Sequence, residues 1–375
     1  MDRALVELVR VSNSVGKDRS LVLGGFGNTS VKTRDGKYMY IKASGTALKN
    51  VTCKVGWRRL KVDSVLAILK DKSLARIRVE KRESKVARGL LSACDDKVKR
   101  DVRPSIESGF HAILDRCVIH LHPAVVLAYA CAKGGRAKVE RLFGKEKFAP
   151  LWVPYTNPGY ALAKRIEKLV GDYKSRHRRG PAIIFLQNHG LLVTADSANA
   201  ALALVRKVVN TCGRGLKRPR VVTVRAASPE AIAEAISAIR EVFFRATGKC
   251  VIIRHFLDEG IAGFMARSDA ARLCVLPAVT PDELVYAGGS AVWFDGLDRR
   301  KILNKLNRQI AGGRKIPSCF LVKPLGLFMA GQAQPQFVKD VVSTYLLVRS
   351  FAAKLGGIHF LNKRQREFIT ALRQG

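Results

Sequence analysis

The chain has 375 residues, of which 47% are hydrophobic and 26% charged, a composition typical of a folded protein with one large or two medium-sized domains. Its net charge is +37. The sequence contains no run of about 18 apolar residues, the length that a bilayer-spanning helix needs. We therefore expect no membrane span. Because the N-terminus resembles an amphipathic helix more than a signal peptide, we also expect a cytoplasmic protein.

The cysteines and the charge narrow the class of protein further. Eight cysteines are scattered along the chain without a CxxC pair, which is typical of reduced thiols and speaks against a disulfide framework or a thiolate zinc site. The positive charge favours anionic partners, either phosphorylated metabolites or nucleic acid. Aromatic residues do not interleave with the basic runs, so a solvated basic surface is favoured over a nucleic-acid interface.

The predicted elements of the first half alternate between strands and helices. The pattern over 21–50 predicts a β-hairpin that turns at Asp35-Gly36. Asp63 is the expected N-cap of a helix over 64–69, and the charged stretch 71–103 is interpreted as a surface excursion. A helix that begins at Pro104-Ser105 would carry Glu107 and His111 on one face. An apolar strand then ends at His120-Leu121-His122.

The order continues with helices around 125–132 and 161–173 and a strand over 182–187 that leads to His189. Asp196 is the expected cap of an alanine-rich helix that ends near Thr211. The basic, irregular stretch 213–226 indicates a boundary between two domains, residues 1–215 and 216–375.

The second half begins with a strong helix signal. Ser228-Pro229-Glu230 combines an N-cap, a proline at the first helical position and an acid in the first turn, and the helix should stop at Gly248. Strands at 250–253 and 290–294, a strand–turn–strand unit over 316–329 and a last helix over 337–354 complete the pattern.

The segments 180–193 and 315–329 resemble each other, and Leu325 stands where His189 stands in the first copy. Either the second half is a degenerate, metal-free relative of the first, or two similar strand–turn–strand units arose by chance.

Three histidines have the chemistry of metal ligands. His120 and His122 are two residues apart on a predicted strand, so their side chains share one face. His189 follows another apolar strand. Imidazole nitrogen suits zinc, and three protein ligands with an open position are typical of a catalytic zinc site. The alternative for the pair alone is a buried histidine held by a backbone partner.

Two small turns precede the histidines. Gly27-Asn28 and Ser44-Gly45-Thr46 offer backbone and hydroxyl donors to an anion, and Ser105 lies at a predicted helix N-terminus, which also favours an anion. Glu107 follows one turn later, just before the histidine strand.

In this order the segments resemble the class II aldolase and adducin family. The matching residues lie at 25–30, 41–46, 103–107, 111, 120–123, 153–155 with 158–159, and 188–191. The resemblance covers about residues 5–212. It is closest to the aldolase part of bifunctional proteins that join a rhamnulose-1-phosphate aldolase-like domain to a short-chain dehydrogenase. No GxGxxG unit follows a strand in this chain, so we expect the dehydrogenase activity to be absent.

The resemblance implies the fold and the roles of the site residues. It implies an α/β fold, with a three-layer α/β/α domain around a central, largely antiparallel sheet and a smaller C-terminal α/β region. Zn²⁺ or another divalent metal would bind His120, His122 and His189, and Glu107 would be the acid/base. Tyr155 is either a turn residue without a role or a second catalytic residue that reaches a neighbouring subunit. The substrate phosphate would be held by Gly27, Asn28, Ser44, Gly45 and Ser105.

The implied reaction is zinc-dependent retro-aldol cleavage of a phosphorylated ketose, similar to rhamnulose 1-phosphate, to dihydroxyacetone phosphate and an aldehyde. The implied assembly is a homotetramer. Ile106 departs from the family pattern, which often has a second hydroxyl residue there, and this leaves the substrate open. The alternatives are an epimerase, dehydratase or decarboxylase acting on a phosphorylated sugar or sugar acid, and a non-catalytic adducin-like or nucleic-acid-binding basic protein.

Overall fold

The computed structural model describes residues 2–22, 26–98, 101–145, 149–216, 227–311 and 317–372. They form two compact units, Met1–Leu216 and Lys217–Gly375. Within the described residues, no helix is both long enough and apolar enough to cross a membrane.

A seven-stranded sheet is the centre of the first unit. Its strands are β1 (Asn28–Lys32), β2 (Tyr38–Lys42), β3 (Trp57–Lys61), β4 (Cys117–Leu121), β5 (Leu151–Val153), β6 (Ile183–Leu186) and β7 (Gly190–Ala195). The spatial order is β3-β2-β1-β4-β7-β6-β5. All neighbours are antiparallel except β5 and β6, which are parallel. This confirms the predicted α/β fold with a central, largely antiparallel sheet.

Helices cover both faces of this sheet. They are α1 (Arg3–Gly16), α2 (Val62–Lys70), α3 (Val79–Ser92), α4 (Ser108–Ile113), α5 (Ala124–Ala130), α6 (Gly135–Leu142), α7 (Tyr160–His177) and α8 (Ala198–Arg214). The largest core lies between the sheet and α2, α3, α4 and α7. On the other face, Ser12 of α1 hydrogen bonds to Thr29 of β1 at 2.7 Å. Alternation along β1 then turns Asn28 and Ser30 towards α4.

Two predictions about helix N-caps are wrong. The first helix after the hairpin begins at Val62, so Asp63 lies in its first turn and is not the cap. The cap of α8 is Ser197, whose side chain accepts from the backbone N–H of Ala200, and not Asp196. Strand β7 continues to Ala195, which pairs with Cys117 of β4, and this pairing delays the start of α8.

The stretch 71–103 is not only a surface excursion. It contains α3, whose Val86 and Leu90 are buried in the core. The spacing of these two apolar residues, four apart, places both on the one face that the helix buries.

The second unit has a four-stranded sheet, formed by β8 (Ile253–Phe256), β9 (Val292–Phe294), β10 (Cys319–Val322) and β11 (Gly326–Ala330). Its helices are α9 (Pro229–Thr247), α10 (Glu259–Met265), α11 (Ala270–Cys274), α12 (Pro281–Ala287), α13 (Arg299–Ala311), α14 (Pro335–Lys354) and α15 (Lys363–Leu372). The predicted cap of α9, Ser228, and its stop at Gly248 are confirmed. The sequence pattern predicts 337–354 as the last helix, and α15 follows it as a further one.

Candidate metal centre

The candidate site lies where several strand ends meet at one edge of the seven-stranded sheet. Strand β1 is antiparallel to β2 and β4, so the start of β1 lies beside the ends of both. The β6–β7 turn lies beside the end of β4, because Leu121 pairs with Leu191. Strand β5 ends at the same edge, since it runs parallel to β6. The topology therefore gathers segments that are far apart in sequence.

Three histidines converge at this edge. One ring nitrogen from each of His120, His122 and His189 lies within 4.8 Å of the other two. The Nε2 atoms of His120 and His122 are 2.9 Å apart. Two zinc ligands at the usual Zn–N distance and a tetrahedral angle are about 3.3 Å apart, so the spacing is close to that of a filled site. In the described ranges, no other cluster of three metal-binding side chains is found.

His120 is held in the orientation that a metal ligand needs. Its Nδ1 lies 2.9 Å from the carbonyl oxygen of Leu191, so Nδ1 carries the hydrogen and Nε2 keeps its lone pair. Burial lowers the pKa of this imidazole to about 3. The ring is therefore neutral at physiological pH, as coordination through Nε2 requires.

Glu107 adds a carboxylate to the histidines. Its Oε1 lies 3.2 Å from Nε2 of His189, and its Oε2 lies 3.5 Å from Nε2 of His120. Burial raises the pKa of this carboxyl, but the facing histidines and the amide of Asn28 outweigh burial and hold the pKa below its ordinary range. The three imidazole nitrogens are a donor set that fits zinc, and Glu107 places a carboxylate beside it.

The position of Glu107 corrects the sequence prediction. Helix α4 begins at Ser108, so Glu107 lies before the helix, and Ser105 is not at its N-terminus. Tertiary pairing holds this segment, since Ala43 and Pro104 form an isolated antiparallel bridge and the N–H of Ser44 donates to the carbonyl of Arg103 at 2.8 Å. The same pairing brings the Ser44 turn beside Ser105.

A chain of buried hydrogen bonds leads from β1 to Glu107. The amide nitrogen of Asn28 donates to Oε2 of Glu107 at 2.6 Å and to Oγ of Ser105 at 3.3 Å. The Oδ1 of Asn28 hydrogen bonds to Nε2 of His111. The Nδ1 of His111 is bonded in turn to Oγ of Ser30 at 2.7 Å. His111 is thus a hydrogen-bonded residue that fixes Asn28.

The predicted phosphate-binding residues divide into two groups. Ser44 and Gly45 are exposed, and a Cβ added at Gly45 would meet only open space. Asn28 and Ser105 are buried against Glu107. Gly27 has a left-handed backbone (φ 76°), and an added Cβ would lie 2.2 Å from the carbonyl oxygen of His120. Gly27 is therefore needed for close packing of the backbone onto β4.

A buried lysine lies behind the Ser44 turn. The Nζ of Lys42 donates to the carbonyl oxygen of Thr46 at 2.8 Å. Burial lowers the pKa of this ammonium to about 8, although the charge of Glu107 raises it. Lys42 thus places a cation beside the two exposed residues of the turn.

Tyr155 lies at the same edge of the sheet, beside the β6–β7 turn. Its backbone N–H donates to Oε1 of Gln187 at 3.1 Å, two residues before His189. Its hydroxyl is buried, and no hydrogen-bond partner is found for it among the described residues. Burial raises the pKa of the Tyr155 phenol well above its ordinary range, so the hydroxyl keeps its proton.

The family is decided by the match of residues 6–214, more than half of the chain, to the model of the "Class II Aldolase and Adducin N-terminal domain". The chain belongs to this family. The resemblance found in the sequence motifs is therefore confirmed.

Sequence identity between this class II aldolase family member and individual proteins is low. "Uncharacterized oxidoreductase YuxG" of Bacillus subtilis (strain 168) is 25% identical over 330 residues, which are 84% of this chain and 45% of that protein. The chain thus spans less than half of that relative's length.

Two solved structures are also similar. The N-terminal class II aldolase domain of a conserved protein from Thermoplasma acidophilum has 25% identity and a TM-score of 0.47, over 57% of this chain and 94% of that chain. L-fuculose-1-phosphate aldolase from Thermus thermophilus has 14% identity and a TM-score of 0.35, over 56% and 92%.

Three parts of this family member's site lie in the matching segments 25–30 and 188–191, but the sequence motifs assigned them no role. They are Ser30, the carbonyl of Leu191 and Gly190, where an added Cβ would lie 2.4 Å from Cδ2 of His122. Ser30 could have been found, because it is two residues from Asn28 on one strand and so shares its face. The other two depend on the β4–β7 register, which no local pattern reports.

Proposed function

We propose that this protein is a lyase that requires a divalent metal, Zn²⁺, and cleaves a phosphorylated ketose by a retro-aldol step. The products would be dihydroxyacetone phosphate and an aldehyde. The observation that carries the proposal is the placement of one carboxylate, Glu107, against His120 and His189, with Asn28 bonded to both Glu107 and Ser105.

The reaction breaks the bond between C3 and C4 of the ketose. A base removes the proton of the C4 hydroxyl, the C3–C4 electron pair moves towards the ketone at C2, and C3 is then protonated. A bound divalent cation would supply Lewis-acid stabilisation of the negative charge on the ketone oxygen, worth several kcal/mol.

Glu107 is suited to move the protons in this reaction. Its depressed pKa keeps the carboxylate ionised, so it starts as a proton acceptor. The amide of Asn28 fixes Oε2 and thereby the direction of the carboxylate. Tyr155, with a buried hydroxyl that stays protonated, is the proposed hydrogen-bond donor to the C4 oxygen as this becomes the aldehyde oxygen, and it transfers no proton.

The phosphate would lie between the exposed turn and the buried donors. Ser44 and Gly45 offer a hydroxyl and backbone N–H groups at the surface, and Ser105 lies one β-bridge away. Gly27 and Asn28 complete the set that the family resemblance implies. Ile106 is 52% exposed beside Ser105 and supplies apolar surface instead of a second hydroxyl.

Metal content and product formation test this proposal together. We expect about one divalent ion per chain in the wild-type protein and its loss in His120→Ala, whereas His177→Ala, a histidine of α7, should keep it. A panel of ketose 1-phosphates assayed for dihydroxyacetone phosphate should give release with at least one member. A metal-free wild type, or no release from any member, would contradict the lyase proposal.

The same assay separates the alternatives. Epimerases, dehydratases and decarboxylases would consume a phosphorylated sugar or sugar acid without releasing dihydroxyacetone phosphate. The net charge of +37 favours a test for nucleic acid as well. A tight, steeply salt-dependent affinity for RNA that His120→Ala leaves unchanged would support the non-catalytic alternative.

A further inference from the structure

The sheet of the second unit repeats the topology of the metal-binding half of the first sheet. Its spatial order, β8-β11-β10-β9, corresponds strand for strand to β4-β7-β6-β5. The directions correspond too, with two antiparallel pairs followed by one parallel pair. In both units the parallel pair is joined through a helix, α7 or α13, and a long helix, α8 or α14, follows the last strand.

Individual backbone hydrogen bonds repeat as well. In the first unit the N–H of Gln187 donates to the carbonyl of Val153 at 3.0 Å, and in the second the N–H of Lys323 donates to that of Phe294 at 2.9 Å. A second matching pair joins Thr194 to Ala182 at 3.0 Å and Ala330 to Ser318 at 2.8 Å. Both tight turns have three residues, 187–189 and 323–325. The two sheets therefore share strand register and backbone hydrogen bonds as well as strand order.

The register places one histidine of the second unit at the position of His120. His120 pairs with the residue two positions after Gly190, and His255 pairs with the residue two positions after Gly326. By the same register, Leu257 corresponds to His122 and Leu325 to His189. The second unit thus has a histidine at one of the three positions that correspond to metal ligands.

The two glycines confirm this correspondence in space. A Cβ added at Gly190 would lie 2.7 Å from the carbonyl oxygen of Leu121, and one added at Gly326 would lie 2.6 Å from that of Phe256. The Cβ at Gly326 would also lie 3.0 Å from Nε2 of His255 and 3.3 Å from Cβ of Leu257. His255 and Leu257 therefore both lie against Gly326. Unlike His120, which donates from Nδ1, His255 donates from Nε2 to the carbonyl oxygen of Leu325 at 2.8 Å, so this bond must break before His255 can bind a metal through Nε2.

We infer that the second unit is an internal copy of the metal-binding half of the first, in which a divalent-metal site was lost by leucine at two of three ligand positions. Leu257→His and Leu325→His together would restore a site for a borderline ion such as Zn²⁺ or Co²⁺. The restored site would bind metal without catalysis, because the described sheet of the second unit has no counterpart of β1, which carries Asn28.

The test uses the full-length chain and counts metal. Wild type, Leu257→His/Leu325→His and the control Phe256→His/Leu325→His are loaded with Zn²⁺, freed of excess ion and measured by mass spectrometry. The control also adds two histidines but places one of them on the other face of β8. We expect about one more equivalent of zinc than wild type in the first variant and none more in the control.

The outcomes separate this inference from the proposed function. A metal-free wild type with a gain of one equivalent in the variant would count against the lyase and for the internal copy. A folded variant that gains no metal, or a control that gains as much, would overturn the inference.

A second variant covers the case in which Leu325→His disrupts the core, where Leu325 is buried. Leu257 is half-buried and directly follows β8, and Leu257→His alone recreates a pair of histidines two residues apart at the end of one strand. In a His120→Ala background we expect this change to raise Ni²⁺ affinity at least about tenfold. Phe256→His should leave it unchanged. Equal affinities in the two variants would also overturn the inference.

Discussion

The side-chain amide of Asn28 donates to Oε2 of Glu107 at 2.6 Å, and this bond joins the first strand to the loop before α4. Because the other end of the same amide group is held by His111, the direction of the Glu107 carboxylate is set from β1. Glu107 is thus positioned by long-range contacts and not by a helix that contains it.

Removal of this amide should weaken the reaction without removing the metal. Asn28→Leu keeps most of the volume but takes away the donor to Glu107. A hydrogen bond to a charged group contributes about 1.5–3 kcal/mol, so we expect kcat/KM to fall by about 10- to 150-fold. Metal content, measured by mass spectrometry, should remain at the wild-type value. An unchanged kcat/KM would show that Asn28 does not orient the acid/base.

His111 should act through Asn28. His111→Phe removes both ring nitrogens, whereas His111→Gln can still donate to Oδ1 of Asn28. We expect the Phe variant to lose kcat nearly as much as Asn28→Leu and the Gln variant to recover part of it, with metal content unchanged in both. The double variant Asn28→Leu/His111→Phe should lose little more than either single one, because the two residues act in one chain. Loss of metal in the Phe variant would instead make His111 a ligand.

Tyr155→Phe separates a catalytic from a structural hydroxyl. No partner for the buried hydroxyl is found in the described part of the chain, and an unsatisfied buried hydroxyl costs about 1–3 kcal/mol. The Phe variant should therefore be at least as stable as wild type in urea unfolding, yet have a lower kcat. Since burial raises the pKa of the phenol, the ratio of the wild-type kcat to the variant kcat should stay constant from neutral to moderately alkaline pH. A destabilised variant with unchanged kcat would assign Tyr155 to the fold.

Gly190→Ala tests the contact between the β6–β7 turn and His122. The new methyl group would lie 2.4 Å from Cδ2 of His122, so the imidazole must move. We expect metal affinity to fall at least about tenfold, as for other changes that misorient a ligand. Gly171→Ala is the matched control, because an added Cβ there, in α7, meets nothing within 4 Å. It should stabilise the protein by about 0.5–1 kcal/mol and leave metal binding unchanged.

The sequence predicted those parts of the fold that local patterns encode. The hairpin turn at Asp35-Gly36, the cap at Ser228 and the strand of His120 each depend on a few neighbouring residues. Pro104-Ser105 has the local pattern of a helix start as well, but the bridge between Ala43 and Pro104 holds it extended. Contacts between residues distant in sequence decide such segments, and one sequence does not report them.

The same limit applies to the site. The residue types near the histidines could be read from the motifs, because ligands and small turns have recognisable chemistry. The bonds from Ser30 through His111 to Asn28 could not, since they depend on how β1 pairs with β4 and on where α4 begins. The prediction that Glu107 and His111 share a helix face failed for this reason.

Metal removal should destabilise the first unit, because the cluster holds three segments together at one edge of the sheet. A ligand that binds only the folded state at 100 times its Kd stabilises it by about 2.7 kcal/mol. For a unit of this size, that corresponds to a loss of about 5–10 °C in Tm on treatment with a chelator. Zn²⁺ should restore the wild-type melting curve, followed by calorimetry. His120→Ala should melt at the same temperature with and without the chelator, whereas His177→Ala should respond like wild type. Equal melting curves for chelated and metal-loaded wild type would show that the histidines are held by their own contacts and not by an ion.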